Sequence, residues 1–331
     1  MPSLVTASRF NSLRNRIAKV LGTSLSSDPQ FGYGQSLNSS TVVGDYDVNT
    51  STTNLIDDTD YRQLYIDLVR ARVHQIGSSA FAQAPFVVGD FDANGLSTDI
   101  IEDAYITGLE SLMTTVEANK FSIYTADTSQ ALVETLKTST GTALQGVRLQ
   151  NSAGAWNRTL SFIFKVTFSS EAERRHFFNS GGQIRMQGRS VIGSTTNSKT
   201  VSWQNLLNSV GQVAFTANST SSLLGYGSGS SLGLYNLTGS YALIYQGTSA
   251  TYSGNWVRIY ALQPSGTEVQ FRVYFQDIRS EGVDEAVYGN FYVDTYLLRP
   301  SGTVTVNGVA TSTVTIPTPP TGTILTNITE I

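Results

Sequence analysis

The chain has 331 residues, of which 40% are hydrophobic and only 14% charged, with a net charge of −4 and no cysteine. That length holds two modest domains, each with its own core. Charge lies well below the roughly 25% of an average globular domain, there is no basic excess to attract nucleic acid, and without thiols there is neither a disulfide framework nor a thiolate metal site.

Residues 1–10 lack the basic start and apolar run of a signal peptide. No stretch approaches the roughly 18 apolar residues of a spanning helix, so no membrane partner is expected. Residues 6–22 carry Phe10, Leu13, Ile17, Val20 and Leu21 at helical spacing, with Thr6 or Ser8 to cap the start and Gly22 to stop the end. Residues 23–56, rich in Ser, Thr, Asn, Gly and Asp, read as an irregular loop fastened by Leu25, Phe31, Tyr33, Val42, Val43 and Tyr46. A second helix over 60–76 places Tyr61, Leu64, Tyr65, Leu68 and Ile76 inward. Both helices share a weak pattern of aromatic, two residues, Leu, three residues, then Ile or Leu. A third helix is strongest over 98–119, with a stripe of Ile101, Ala104, Gly108, Leu109, Leu112 and Val116, and an Asp127/Gln130 capping box predicts a short helix over 129–137.

The apolar period then changes from helical to two. Leu160, Phe162, Phe164, Val166 and Phe168 alternate with Ser161, Ile163, Lys165 and Thr167. Residues 170–179 read as one short helix ended by Gly181-Gly182, and residues 183–187 return to alternation. Residues 256–262 and 268–276 flank Pro264-Ser265-Gly266, a hairpin signal, with Val269, Phe271, Val273 and Phe275 facing one way and Glu268, Gln270, Arg272 and Tyr274 the other. Residues 291–298 continue the theme, and Asn307-Gly308 within 303–315 is the strongest short-range hairpin signal. Residues 316–321 should be extended and exposed. The pattern predicts an α+β fold, with a helical assembly region over 1–150 and an antiparallel β-sandwich with an extended tail over 151–331.

Chemistry-bearing patterns are few. No Walker loop, dinucleotide fingerprint or H-E-x-x-H occurs, so no catalysis is expected. His176, beside Phe177 and Phe178, reads as structural, and His74, near Arg70 and Arg72, as solvated or interfacial. Asp90, Asp92, Asn94 and Gly95 match positions 1, 3, 5 and 6 of a calcium loop, with Asp99 nearby, but the twelfth position is Ile101 and Glu102 comes one residue late. The alternative is a polar turn capped by Ser97; otherwise no cofactor is expected. Tyr288, Tyr292 and Tyr296, with Asp294, read as a sugar-stacking face or, alternatively, as the outer face of a sheet or a subunit contact. A glycan-cleaving site needs two carboxylates about 5–10 Å apart; Asp277, Glu281 and Asp284, read as a loop, carry no spacing signal.

Two stretches bear a resemblance. One is Val5-Thr6-Ala7-Ser8-Arg9-Phe10-Asn11-Ser12-Leu13-Arg14-Asn15, then Val20-Leu21-Gly22, Phe31-Gly32-Tyr33-Gly34-Gln35 and His74-Gln75-Ile76-Gly77. The other is Arg174-Arg175-His176-Phe177-Phe178-Asn179-Ser180-Gly181-Gly182-Gln183-Ile184-Arg185, with Lys199, Trp203 and Leu206-Leu207 downstream. Over residues 5–77 and 158–215 the chain resembles virion structural proteins of tailed phages, cyanophage types above all. The resemblance implies a particle component of tail, baseplate or neck, assembled in the host cytoplasm, with partners in itself as a homo-oligomer and in other virion proteins. It transfers no catalytic residue. A receptor- or glycan-binding module on the tail, with host surface glycan as partner, is the alternative. In the second stretch Phe177, Phe178, Asn179, Gly181 and Gly182 form a structural motif, in which the two Phe side chains should enter the core and the two glycines should supply positive backbone angles.

Overall fold

The structure is a computed structural model and describes residues 5–22, 31–41, 56, 58–76, 103–122, 133–134, 144–148, 159–192, 197–277, 287–299, 305–309, 312–315 and 323–330. The fold is α+β, with helices mostly near the N-terminus and a two-sheet sandwich. The chain divides into two compact units, Met1–Leu132 with Pro300–Pro319, and Val133–Arg299 with Pro320–Ile331. The second unit thus starts at Val133, before the break near residue 150 read from the sequence, and residues 300–319 return to the first. Among the described residues no helix is long and apolar enough to cross a membrane.

The first unit contains α1 (Ala7–Leu21), α2 (Asp58–Ile76) and α3 (Asp103–Ala118). Thr6 caps α1 by accepting from the Arg9 N–H at 3.3 Å. Phe10, Leu13 and Ile17 of α1 and Tyr61, Leu64 and Leu68 of α2, the two copies of the shared pattern, all enter one core. The α3 seam is Ile106, Leu109, Met113 and Val116. Gly108 and Leu112, expected on the stripe, lie beside it and are only partly buried. Arg9 holds Glu110 (2.9 and 2.8 Å) and Thr107 (2.8 Å); one heptad on, Arg16 holds Glu117 (3.2 and 2.8 Å) and Thr114 (3.1 Å). The ascending order of both clamps sets α1 and α3 side by side in the same direction, at the seven-residue repeat of coiled-coil packing.

This unit also holds the hairpin of β11 (Thr305–Val309) and β12 (Ser312–Thr315). Its register runs Asn307↔Thr313, then Val309↔Ser312, so Asn307-Gly308 marks a bulge in β11 and not the hairpin turn that its sequence advertised.

The second unit contains β1 (Val133–Glu134), β2 (Leu144–Arg148), β3 (Thr159–Thr167), α4 (Glu171–Asn179), β4 (Gln183–Val191), α5 (Ser198–Val210), β5 (Gln212–Phe215), β6 (Thr220–Ser222), β7 (Ala242–Thr248), β8 (Asn255–Ser265), β9 (Glu268–Asp277), β10 (Asn290–Arg299) and β13 (Thr323–Glu330). One sheet runs β1–β10–β4–β5–β6, with β2 also on β10; the other runs β13–β3–β9–β8–β7, and every pairing in both is antiparallel. The sheets meet through aromatic side chains. Phe271 lies edge-on to Phe215 at 5.1 Å, and Phe275 sits 6.1 Å from Phe291 and 6.0 Å from Trp203.

Two sequence expectations change here. The helix expected over 129–137 is not formed at Val133–Glu134, which pairs as β1 with Arg299 and Leu298 of β10; a non-local partner outweighs the local capping pattern. The C-terminus does more than trail, because β13 pairs with β3 from Thr323↔Thr167 to Glu330↔Leu160.

Candidate functional site

The Arg174–Arg185 stretch is a turn that carries the chain from one sheet into the other. Ser170 opens α4 by accepting from the Glu173 N–H (3.1 Å), and the Glu173 carboxylate reaches back to the Ser169 N–H. The end is a Schellman motif: the Gly182 N–H donates to the Phe177 carbonyl (2.9 Å) and the Gly181 N–H to that of Phe178 (3.1 Å). Gly181 has φ +87°, a conformation that favours glycine. Gly182 does not share it, which corrects the expectation for that residue. Its requirement is close approach, because a Cβ there would lie 2.4 Å from the Phe177 carbonyl oxygen and 2.9 Å from the Phe177 ring. Phe177 and Phe178 are fully buried, edge-on to each other at 5.1 Å, with Phe168 and Phe215 around them. Asn179, also fully buried, accepts from the Tyr235 hydroxyl. These residues build the core and present no reactive group.

Three other segments of the resemblance, around residues 20–22, 31–35 and 74–75, converge at one end of the helical unit. Residues 33–35 run along the end of α1, with Tyr33 N–H on the Val20 carbonyl (2.9 Å), Gly34 on Gly22 (3.1 Å) and Gln35 on Leu21 (2.9 Å). Gly32 (φ +102°) and Gly34 (φ +73°) turn the buried Tyr33 ring inward. Its hydroxyl donates to the Lys120 carbonyl (2.9 Å) and accepts from the Gln75 amide (2.8 Å), and its ring lies 4.5 Å from that of His74. Burial pushes the Tyr33 phenol well above its ordinary range. His74 is therefore a core residue with no exposed surface, not the solvated or interfacial group expected. Two turns earlier on α2 the buried Asp67 carboxylate accepts from the backbone N–H of Asn38 (2.9 Å) and Ser39 (2.9 Å), the Ser39 hydroxyl (2.8 Å), the Asn38 amide (3.0 Å) and Arg70 (3.1 Å). Phe31 lies between the ammonium groups of Lys19 and Lys120, each 4.2 Å from the ring centre. This node fastens a loop to three helices.

A different kind of surface lies on the outer face of the β3–β9–β8–β7 strands. Residues there alternate with buried ones and stay partly exposed. Register sets them in a checkerboard: Trp256 opposite Gln276, Arg258 opposite Tyr274, Tyr260 opposite Arg272. The Arg258 guanidinium lies over Trp256 (4.6 Å) and donates to Gln246 and Gln276 (both 3.0 Å). Arg272 lies over Tyr241 (4.4 Å) and donates to the Tyr274 hydroxyl (2.9 Å), and Tyr260 meets Tyr274 edge-on at 5.6 Å. Among the described residues neither guanidinium has a carboxylate within ion-pair reach, and Lys165–Glu268 (2.7 Å) is the charge pair at the end of this face. The result is a preorganised array of Trp, Tyr and Arg, the side chains that dominate binding hot spots.

The tyrosines read from the sequence as a sugar-stacking face, the outer face of a sheet or a subunit contact do not share one exposed face. Tyr296, Asp294 and Leu298 are buried; Tyr292 is partly exposed, with Arg189 over its ring at 4.0 Å and on Asp294 at 2.7 Å. Tyr288 donates its N–H to the Thr200 hydroxyl (3.0 Å). Asp277 is the last residue of β9, buried against Lys199, and not a loop carboxylate; Glu281 and Asp284 lie outside the described residues. So do Asp90, Asp92, Asn94 and Asp99, the calcium-loop candidates. Among the described residues no group of three His, Asp or Glu is placed to hold a metal. Gly229-Ser230-Ser231-Leu232-Gly233 has the spacing of a nucleophile elbow, but Ser231 is exposed and its carbonyl accepts from Asn236 (2.9 Å); no strand-to-helix turn presents it. No known protein family, no curated protein and no solved structure matches the chain.

Proposed function

We propose that the chain is a structural component of a tailed-phage particle, in its tail, baseplate or neck, and that it works through subunit contacts without catalysis. The outer sheet face carries the reading. Trp256, Arg258, Tyr260, Arg272 and Tyr274 are held in place by one another before any partner arrives. Association therefore costs little side-chain entropy, and the face has the aromatic and Arg enrichment of interface cores. The low charge of the whole chain fits the same use. Two of the segments that carry the resemblance support it too, because the Phe177–Gly182 turn and the Tyr33–Gln75 contact build packing nodes, one in each unit. The occupant of the face is a second copy of this chain.

The test is a pair of substitutions on that face, Arg258→Ser with Tyr260→Ser, in the full chain. Each removes an anchor of the kind worth about 2 kcal/mol or more at an interface centre. Self-association measured by sedimentation should weaken by at least tenfold while the circular dichroism of the fold is kept. Unchanged association in a folded double variant would remove the face from the account.

A further inference from the structure

We propose that Lys199, Asn255 and Asp277 form an autocatalytic cross-linking centre, in which Lys199 displaces ammonia from the Asn255 side-chain amide and leaves an isopeptide bond inside the sandwich. The three residues come from α5, the start of β8 and the end of β9. The Lys199 side chain is 5% exposed and that of Asp277 1%, with Nζ 2.5 Å from Oδ2. Asn255 is 1% exposed and is the cross-strand partner of Asp277. The Asn255 amide has one orientation that satisfies both its ends: its NH2 donates to Asp277 Oδ1 (3.1 Å) and its carbonyl accepts from the Trp203 indole N–H (3.1 Å).

An ion pair alone explains this poorly, because removing two charges from water costs what an apolar pair of the same volume avoids. Acyl transfer does explain it. That reaction needs a base at the nucleophile, an acid at the leaving group and a donor at the carbonyl oxygen. One carboxylate here bridges the amine and the leaving NH2, and Trp203 supplies the donor. Trp203, Phe275 and Phe291 pack on one another beside it, an apolar setting that keeps water from competing.

The step balances without any co-reactant. Asp277 Oδ2 takes a proton from the Lys199 ammonium, and the freed lone pair forms a bond to Asn255 Cγ as the carbonyl π pair moves onto oxygen, beside the Trp203 N–H. The carbonyl then re-forms and the Cγ–Nδ2 bond breaks. Asp277 gives its proton to the departing nitrogen, which leaves as ammonia, and takes the second proton from the former lysine nitrogen. The products are a secondary amide, ammonia and a neutral Asp277 carboxyl group. A buried ion pair thus becomes neutral groups, which favours completion.

The purified full chain, unfolded in denaturant, should weigh one ammonia less than its sequence mass. Trypsin should fail to cut after Lys199, so that residues 190–258, which contain no other Lys or Arg before Arg258, stay together in one peptide lighter by one ammonia. Asp277→Asn and Asn255→Ser should each restore the full mass of their sequence and cleavage after Lys199. A wild-type chain at full mass would overturn the proposal, and so would loss of ammonia with Lys199 still cleaved. Loss of water instead, the mark of a Lys–Asp amide, would overturn the roles assigned. The wild-type measurement decides even if a variant fails to fold.

Discussion

Replacing Gly182 by alanine should destabilise the sandwich more than replacing Gly181, although Gly181 is the residue with the positive φ. At Gly181 (φ +87°) a side chain meets the ordinary left-handed penalty of about 1–2 kcal/mol. At Gly182 the added Cβ falls 2.4 Å from the Phe177 carbonyl oxygen, the atom that accepts the Gly182 N–H. It also falls 2.9 Å from the Phe177 ring, which is held between Phe168 and Phe178. Relief means breaking the hydrogen bond, about 1 kcal/mol, and moving the helix end or ring in a packed core, about 1–3 kcal/mol. The sum is about 2–4 kcal/mol. Urea unfolding followed by tryptophan fluorescence isolates this unit, because Trp156, Trp203 and Trp256 all belong to it. A smaller loss at Gly182 than at Gly181 would refute the reasoning.

Asp67→Ala should cost about 2–3 kcal/mol, since it strands the N–H and hydroxyl of the buried Ser39 and frees the part-buried Asn38 N–H; a loss under about 1 kcal/mol in far-ultraviolet circular dichroism melts of the helices would contradict it. Burial raises the phenols of Tyr33 and Tyr61 and pushes Tyr245 up to about 12. Above the ordinary value near 10 the unfolded chain therefore loses protons that the fold retains. Stability should be level below about pH 9 and fall above pH 10, by about 1.4 kcal/mol per pH unit for each such tyrosine. A urea midpoint that holds to pH 11 or higher would sink this. Arg16–Glu117, with side chains 32% and 27% exposed, should show a double-mutant coupling under about 1 kcal/mol that fades in high salt; a salt-insensitive coupling of several kcal/mol would show that the clamp is not a surface pair.

The fold was legible where one face of an element repeats within a single segment. Phe10, Leu13 and Ile17, and Val269, Phe271, Val273 and Phe275, show their period without help from the rest of the chain. What escaped depends on distant partners. Val133-Glu134 is a strand because β10 lies beside it, and β13 because β3 has a free edge. His74 looked solvated among arginines, yet Tyr33 from a loop covers it. The candidate surface was half visible, since Arg272 and Tyr274 were read as facing away from the core, but Trp256 and Arg258 join them only through the β8–β9 register. For Lys199, Asn255 and Asp277 no spacing signal existed, because three separate elements bring them together.

The most direct test of the proposed role is the absolute mass of the purified full chain by light scattering coupled to size exclusion. Self-contact through the outer sheet face predicts a discrete symmetric oligomer that the Arg258→Ser, Tyr260→Ser pair returns to smaller species. A strict monomer at high concentration would contradict it.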